Sequence, residues 1–108
     1  MLDSRKVRGM EFFTTDQDGV TLIEPDAEAR SRILESVLHS AADYPEVYLT
    51  HQRGVVLGYR SGGYLIREED GEVIGVLSPA SIETATQAWT SLATSDFDSL
   101  DSLPWRTE

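Results

Sequence analysis

Apolar and polar residues alternate in short bursts along this chain, and glycine-bearing turns separate the bursts. Asp16-Gln17-Asp18-Gly19 divides Met10–Thr15 from Val20–Glu24. Asp-Gly is a strong hairpin signal because glycine accepts a positive φ without steric cost. Glu69-Asp70-Gly71 divides Tyr64–Glu68 from Glu72–Leu77 in the same way, and Ser61-Gly62-Gly63 divides Val55–Arg60 from Tyr64–Arg67. A weaker turn, Gln52-Arg53-Gly54, follows Glu46–His51. The flanking runs are rich in Val, Ile, Leu, Tyr and Thr, which suit a pleated, half-buried surface.

Two segments carry helical spacing instead. Over 26–42, Ile33, Leu34, Val37, Leu38 and Ala41 fall on one stripe. Asp26 and Glu28 favour the positive end of the helix dipole, and Tyr44-Pro45 closes the element. A second helix is expected over about 79–94, with Ser78 as its cap and Pro79 at its first position, where a missing N–H is tolerated. Its stripe is Ile82, Ala85, Trp89 and Leu92. The order ββαββββα predicts an α+β fold: an antiparallel sheet of five or six strands with two helices packed on one face. At 108 residues the chain is one domain's worth and nothing in it suggests two, so a single domain over 1–108 is expected. Residues 1–9 are expected to be flexible, and 95–108, rich in acids and serines, to form a surface tail.

Composition narrows the function classes. No apolar run approaches the roughly 20 residues of a membrane span, and the basic residues Arg5, Lys6 and Arg8 precede no apolar stretch of a secretory signal. With no cysteine, disulfides, thiolate metal sites and cysteine nucleophiles are excluded, and a reducing cytoplasm fits. The 19 acidic and 9 basic residues give a net charge of −10. Such a field repels nucleic-acid phosphates and anionic membranes and attracts basic partners. Solubility alone also explains an acidic composition.

Candidate chemistry is sparse. Glu35, His39 and Asp43 share one helix face, but that face lies opposite the apolar stripe and reads as solvated. His51 ends a strand with no acid or nucleophile nearby in sequence and reads as a surface histidine. No Gly-x-Ser-x-Gly elbow, phosphate loop or dinucleotide fingerprint is present. The paired acids Glu68 and Glu69 flank a hairpin tip, where water keeps them ionised. The sequence therefore points away from catalysis and implies no cofactor or metal. Binding is the better reading. Acids concentrate at Asp16/Asp18, at Glu68/Glu69/Asp70/Glu72 and at Asp96/Asp98/Asp101, which together can form an anionic face for a basic cleft. Trp105, in Leu103-Pro104-Trp105, reads either as a tail anchor in its own domain or as an interface anchor. Asp16, Asp18, Glu68, Glu69, Asp70 and Trp105 are thus the candidate partner-binding residues.

One resemblance accompanies this reading. A strand Glu46–His51 after Tyr44-Pro45, a Gly-rich meander, Ser78-Pro79, a helix with Ala85, Ala88 and Trp89, and a closing Leu103-Pro104-Trp105 are arranged as one unit over about 44–106. This resembles the family-one immunity proteins of bacterial polymorphic toxin systems, many of them paired with nucleic-acid deaminase toxins. The resemblance implies cytoplasmic neutralisation of a cognate toxin by binding it. An acidic inhibitor suits a toxin whose cleft must attract phosphates. An acidic adaptor domain for another basic protein, and a small-molecule or enzymatic site assembled only in three dimensions, remain as alternatives.

Overall fold

A computed structural model of the chain describes residues 11–40 and 45–107. The expected flexible segment 1–9, together with Ala41, Ala42, Asp43 and Tyr44 around the end of the first predicted helix, lies outside the described residues. Six strands, β1 (Phe12–Thr15), β2 (Thr21–Ile23), β3 (Glu46–His51), β4 (Val55–Arg60), β5 (Tyr64–Glu69) and β6 (Glu72–Leu77), form one antiparallel sheet in the order β2-β1-β3-β4-β5-β6. The meander is interrupted by α1 (Ala27–Leu38), inserted between β2 and β3. Its length lets β3 return beside β1 rather than β2. The fold class and the order ββαββββα match the sequence pattern, with one further short helix after it, and all four predicted turns form.

Alternation assigns the two faces of the sheet. Phe12 and Thr14, Val47 and Leu49, Val55, Leu57 and Tyr59, Leu65, and Leu77 are buried on one face. Leu34 and Val37 of α1, and Ala85, Ala88, Trp89 and Leu92 of α2 (Ile82–Ala93), close over them. Trp89 is fully buried and donates its indole N–H to the Leu57 carbonyl at 3.2 Å. It thereby brings about 2–3 kcal/mol of apolar burial without an unpaired donor. Tyr59 likewise donates its hydroxyl to the Ala80 carbonyl at 3.0 Å, holding the approach to α2 on the sheet. The expected α1 stripe is partly realised: Leu34 and Val37 are inside, whereas Leu38, in the last turn, is exposed.

Two expectations need correction. The second helix starts later than Ser78-Pro79: Ser81 is its cap, accepting the Thr84 amide, and Ile82 is its first residue. The Ser78–Pro79 peptide bond itself is cis. The segment after Ser95 is more than a surface tail. Asp96 caps a third, short helix, α3 (Phe97–Asp101), whose Leu100 is fully buried. Arg106 then exchanges backbone hydrogen bonds with Val76 at 2.8 and 2.9 Å, covering the β6 edge. No helix among the described residues is long and apolar enough to cross a membrane.

Candidate partner-binding surface

Antiparallel register places the acidic turns. Thr15, just before Asp16, lies opposite Tyr48 in the first half of β3, and that end of the sheet continues through Glu46, Arg60 and Tyr64. Phe12 lies opposite His51, and the His51 end continues to Val55, opposite Glu69. The β1–β2 tip and the β5–β6 tip therefore sit at opposite ends of the strands. Asp16 and Asp18 do not share a surface with Glu69 and Asp70. Asp16 is moreover occupied by its own turn, accepting the Asp18 and Val20 amides at 2.9 Å each.

The C-terminal acids join the β5–β6 tip. Arg67, on the helix-covered face of β5, is only 8% exposed. Its guanidinium bridges Glu69 at 2.8 Å and Asp101 of α3 at 2.9 Å. It also stacks over the Trp105 ring, 5.7 Å from the centroid. One buried cation thus clamps two acidic segments together and holds α3 across the His51 end. A buried arginine needs such partners, because an unpaired ion in the interior is strongly unfavourable. The β5–β6 turn is fixed from its other side as well. The Asp70 amide donates to the Gly54 carbonyl at 3.0 Å. Gly54 has φ +87°, and a Cβ there would lie 2.6 Å from Asp70 Oδ1, so this contact between turns requires glycine.

Glu69 and Glu68 point to opposite faces. Glu68 lies beside Val56 and Val73 on the sheet face that carries no helix, near Tyr48. Burial pushes the Tyr48 phenol up to about 12, with the Glu46 hydrogen bond and charge, then the Glu68 charge, adding to the effect. The Tyr48 ring packs against Gly58, where a Cβ would meet it at 3.0 Å. Tyr48 is therefore a packing residue of the open face, Tyr59 is in the core and Tyr64 is exposed.

His51 is a correction to the expected surface histidine: it is 3% exposed. Its Nδ1 accepts the Arg53 amide at 3.1 Å, which assigns the ring proton to Nε2. Nε2 then donates to Ser95 Oγ at 2.9 Å, and Ser95 donates onward to Glu11 Oε1 at 3.3 Å. The order is histidine–serine–carboxylate with the serine in the middle. In this tautomer Nε2 cannot take the serine proton, so the pair does not make a nucleophile and its base. Phe97 meets the imidazole edge-on, with centroids 5.3 Å apart, and Arg53 lies over its ring at 5.0 Å. Burial depresses the His51 pKa, opposed by the Glu11 charge and assisted by that of Arg53. The cluster locks the start of α3 onto the end of β3.

The resulting surface carries Glu69, Asp70 and Glu72 from one side and Asp96, Asp98 and Asp101 from the other. Hydrogen bonds from the Ser99 hydroxyl and amide hold the Asp96 carboxyl below its usual range. Asp70, Glu72, Asp96 and Asp98 are exposed. Trp105 is half-buried beside this surface, its indole N–H donated to the Leu100 carbonyl at 2.8 Å. Arg67, His51, Ser95 and Asp101 were missed as organisers of this region. The alternation Val47, Leu49, His51 and the pair Leu65, Arg67 already placed His51 and Arg67 on the buried face. No family model matches the chain, and no curated protein or solved structure shows significant similarity to it.

Proposed function

We propose that this domain is a protein-binding module that neutralises a basic partner, in the manner of an immunity protein against a nucleic-acid-acting toxin. The observation that carries this reading is the gathering of the β5–β6 and C-terminal acids at one end of the sheet, on backbone held rigid by Arg67. Arg67 is paired with Glu69 and Asp101 and Arg53 lies over the Phe97 ring, while Asp70, Glu72, Asp96 and Asp98 stay exposed to a partner. A preformed anionic surface steers a cationic partner and fixes its orientation, acting mainly on association rate. The cytoplasmic setting and the toxin are the specific form that the resemblance adds. Co-expression of the domain with the product of the neighbouring gene tests it. Growth rescued from an otherwise lethal product, with a stoichiometric complex recovered, is the expected result. No rescue and no complex would remove the immunity reading.

A further inference from the structure

The two edges of the sheet are treated differently. At β6, Arg106 occupies the edge through its backbone bonds to Val76, and its guanidinium reaches the Ser78 carbonyl at 2.7 Å. At β2 no described residue does the same. The Asp16 amide donates to the Val20 carbonyl and the Glu24 amide to the Phe12 carbonyl, so Val20 and Glu24 turn their backbone groups toward β1. By the antiparallel alternation, Thr21 and Ile23 turn their N–H and C=O groups outward. Proteins usually protect such an edge by keeping the strand very short, or with lysine, proline, a bulge or a covering segment, and of these β2 has its three-residue length. Val20–Ile23 contains neither lysine nor proline. Instead Val20, Leu22 and Ile23 are 53%, 42% and 59% exposed, and Leu22 and Ile23 belong to opposite faces of the sheet. A strand added here would gain backbone hydrogen bonds and apolar contacts on both sides.

Charge selects the occupant. Asp16 and Asp18 stand at one end of β2, and Glu24, Asp26 and Glu28 at the other. Among the described residues the nearby cations are engaged: Arg32 bridges Glu28 at 3.3 Å, while Arg30 donates to the Pro25 carbonyl and lies over the Phe12 ring. A second copy of this chain would bring its own −10 charge and the same acids to the seam. A strand with cationic flanks complements it. We infer that β2 is a strand-addition site, at which an extended segment of a basic protein partner, apolar in the middle and flanked by Lys or Arg, extends the sheet through Thr21 and Ile23. This rests on the reading of a basic protein partner and adds a second contact, at the opposite edge of the sheet from the β5–β6 turn.

Amide hydrogen exchange and backbone NMR with two synthetic peptides test it. One alternates valine and threonine between lysine pairs; the other carries glutamates in place of the lysines. The lysine peptide is expected to slow exchange of the Thr21 and Ile23 amides by about tenfold, the signature of newly paired backbone. The glutamate peptide should leave them unchanged. Thr21→Pro removes an outward donor and no bond to β1, so the variant should keep its melting temperature and lose the effect. Ile23→Lys, which keeps every backbone group, should weaken it through charge. No protection by the lysine peptide, or equal protection by both, overturns the inference. So does a dimer in sedimentation whose Thr21 and Ile23 amides are protected without peptide. Shifts confined to Asp70, Glu72 and Asp98 also overturn it while leaving the proposed function standing. Protection of β2 with no change at those acids supports the inference and counts against the acidic end as the contact.

Discussion

Trp105 lies against Gly75: a Cβ added to this glycine would come within 3.0 Å of Trp105 Cβ and 3.4 Å of its ring. The close approach depends on β6 having no side chain at that point. It lets the indole reach the Leu100 carbonyl and the Arg67 guanidinium together. Trp105→Ala should therefore destabilise the isolated domain by about 2 kcal/mol, less than a fully buried tryptophan because the ring is half-exposed. That lowers the melting temperature by roughly 10 °C. Gly75→Ala should act in the same direction by about 1 kcal/mol, through displacement of the ring. A thermal melt of both variants checks this. An unchanged melt for Trp105→Ala would return the indole to the role of interface anchor.

Arg67 presents a sharper case. Its removal leaves Glu69 and Asp101 facing each other around a buried space. Arg67→Met should cost about 2 kcal/mol, discounted from the value for a wholly buried pair because both acids reach solvent. Asp101→Asn alone should cost under about 1 kcal/mol, since Glu69 still neutralises the guanidinium. Urea midpoints at low and high salt separate the two variants.

Among the described residues, Thr14 Oγ1 is the one buried side-chain polar atom without a hydrogen-bond partner. Thr14 is fully buried on β1 between Leu22 and Leu49. Thr14→Val keeps the branched shape and removes the unpaired hydroxyl. It should stabilise the fold by about 1 kcal/mol, read as a higher urea midpoint at unchanged slope.

His51 gives the stability a pH dependence of known sign. Its folded pKa is depressed by burial, from an unfolded value of about 6.5. Between the two values the unfolded chain binds more protons, so stability rises with pH. The contribution is complete above the unfolded pKa and is lost as pH falls through the folded one. Protonation would also place an Nδ1–H against the Arg53 amide, while Glu11 partly compensates. His51→Gln should flatten the change in urea midpoint between pH 7.5 and pH 5 relative to the parent chain. An identical change in both would show that carboxylates alone set it.

The sheet was legible because its punctuation is local. Gly19, Gly54, Gly62, Gly63 and Gly71 all adopt positive φ at the predicted turns, and the residues between them alternate. Two serines, Ser78 and Ser81, compete for the boundary of α2. The stripe begins at Ile82, directly after Ser81, and that spacing favours Ser81 over Ser78. Helix α3 escaped notice because five residues hold little more than one turn of pattern. Its one local signal is Asp96 followed by Ser99, whose amide and hydroxyl both bond to it. The grouping of the acids depends on register across five strands and on Arg67, neither of which is a local property. Nothing near Asp101 in sequence points to Arg67, and Glu11 and Ser95 meet across 84 positions.

In the proposed function the acidic end formed by the β5–β6 turn and α3 engages a basic partner. Glu72 and Asp98 are both exposed there, and their side chains make no hydrogen bond or ion pair among the described residues. Reversing them changes the field and keeps Arg67, Asp101 and the Asp96 cap, although a lysine at 72 faces Glu69 across the strands. The deciding measurement is the association rate constant with the partner recovered by co-expression, at low and high salt, for the parent chain and for Glu72→Lys/Asp98→Lys. The parent rate should fall by about tenfold or more with added salt. A slower rate and a weaker salt dependence are expected in the variant, with a melting temperature lowered by no more than roughly 5 °C because Asp98 sits in the first turn of α3. Rates that are the same for both proteins and indifferent to salt would contradict the proposed function.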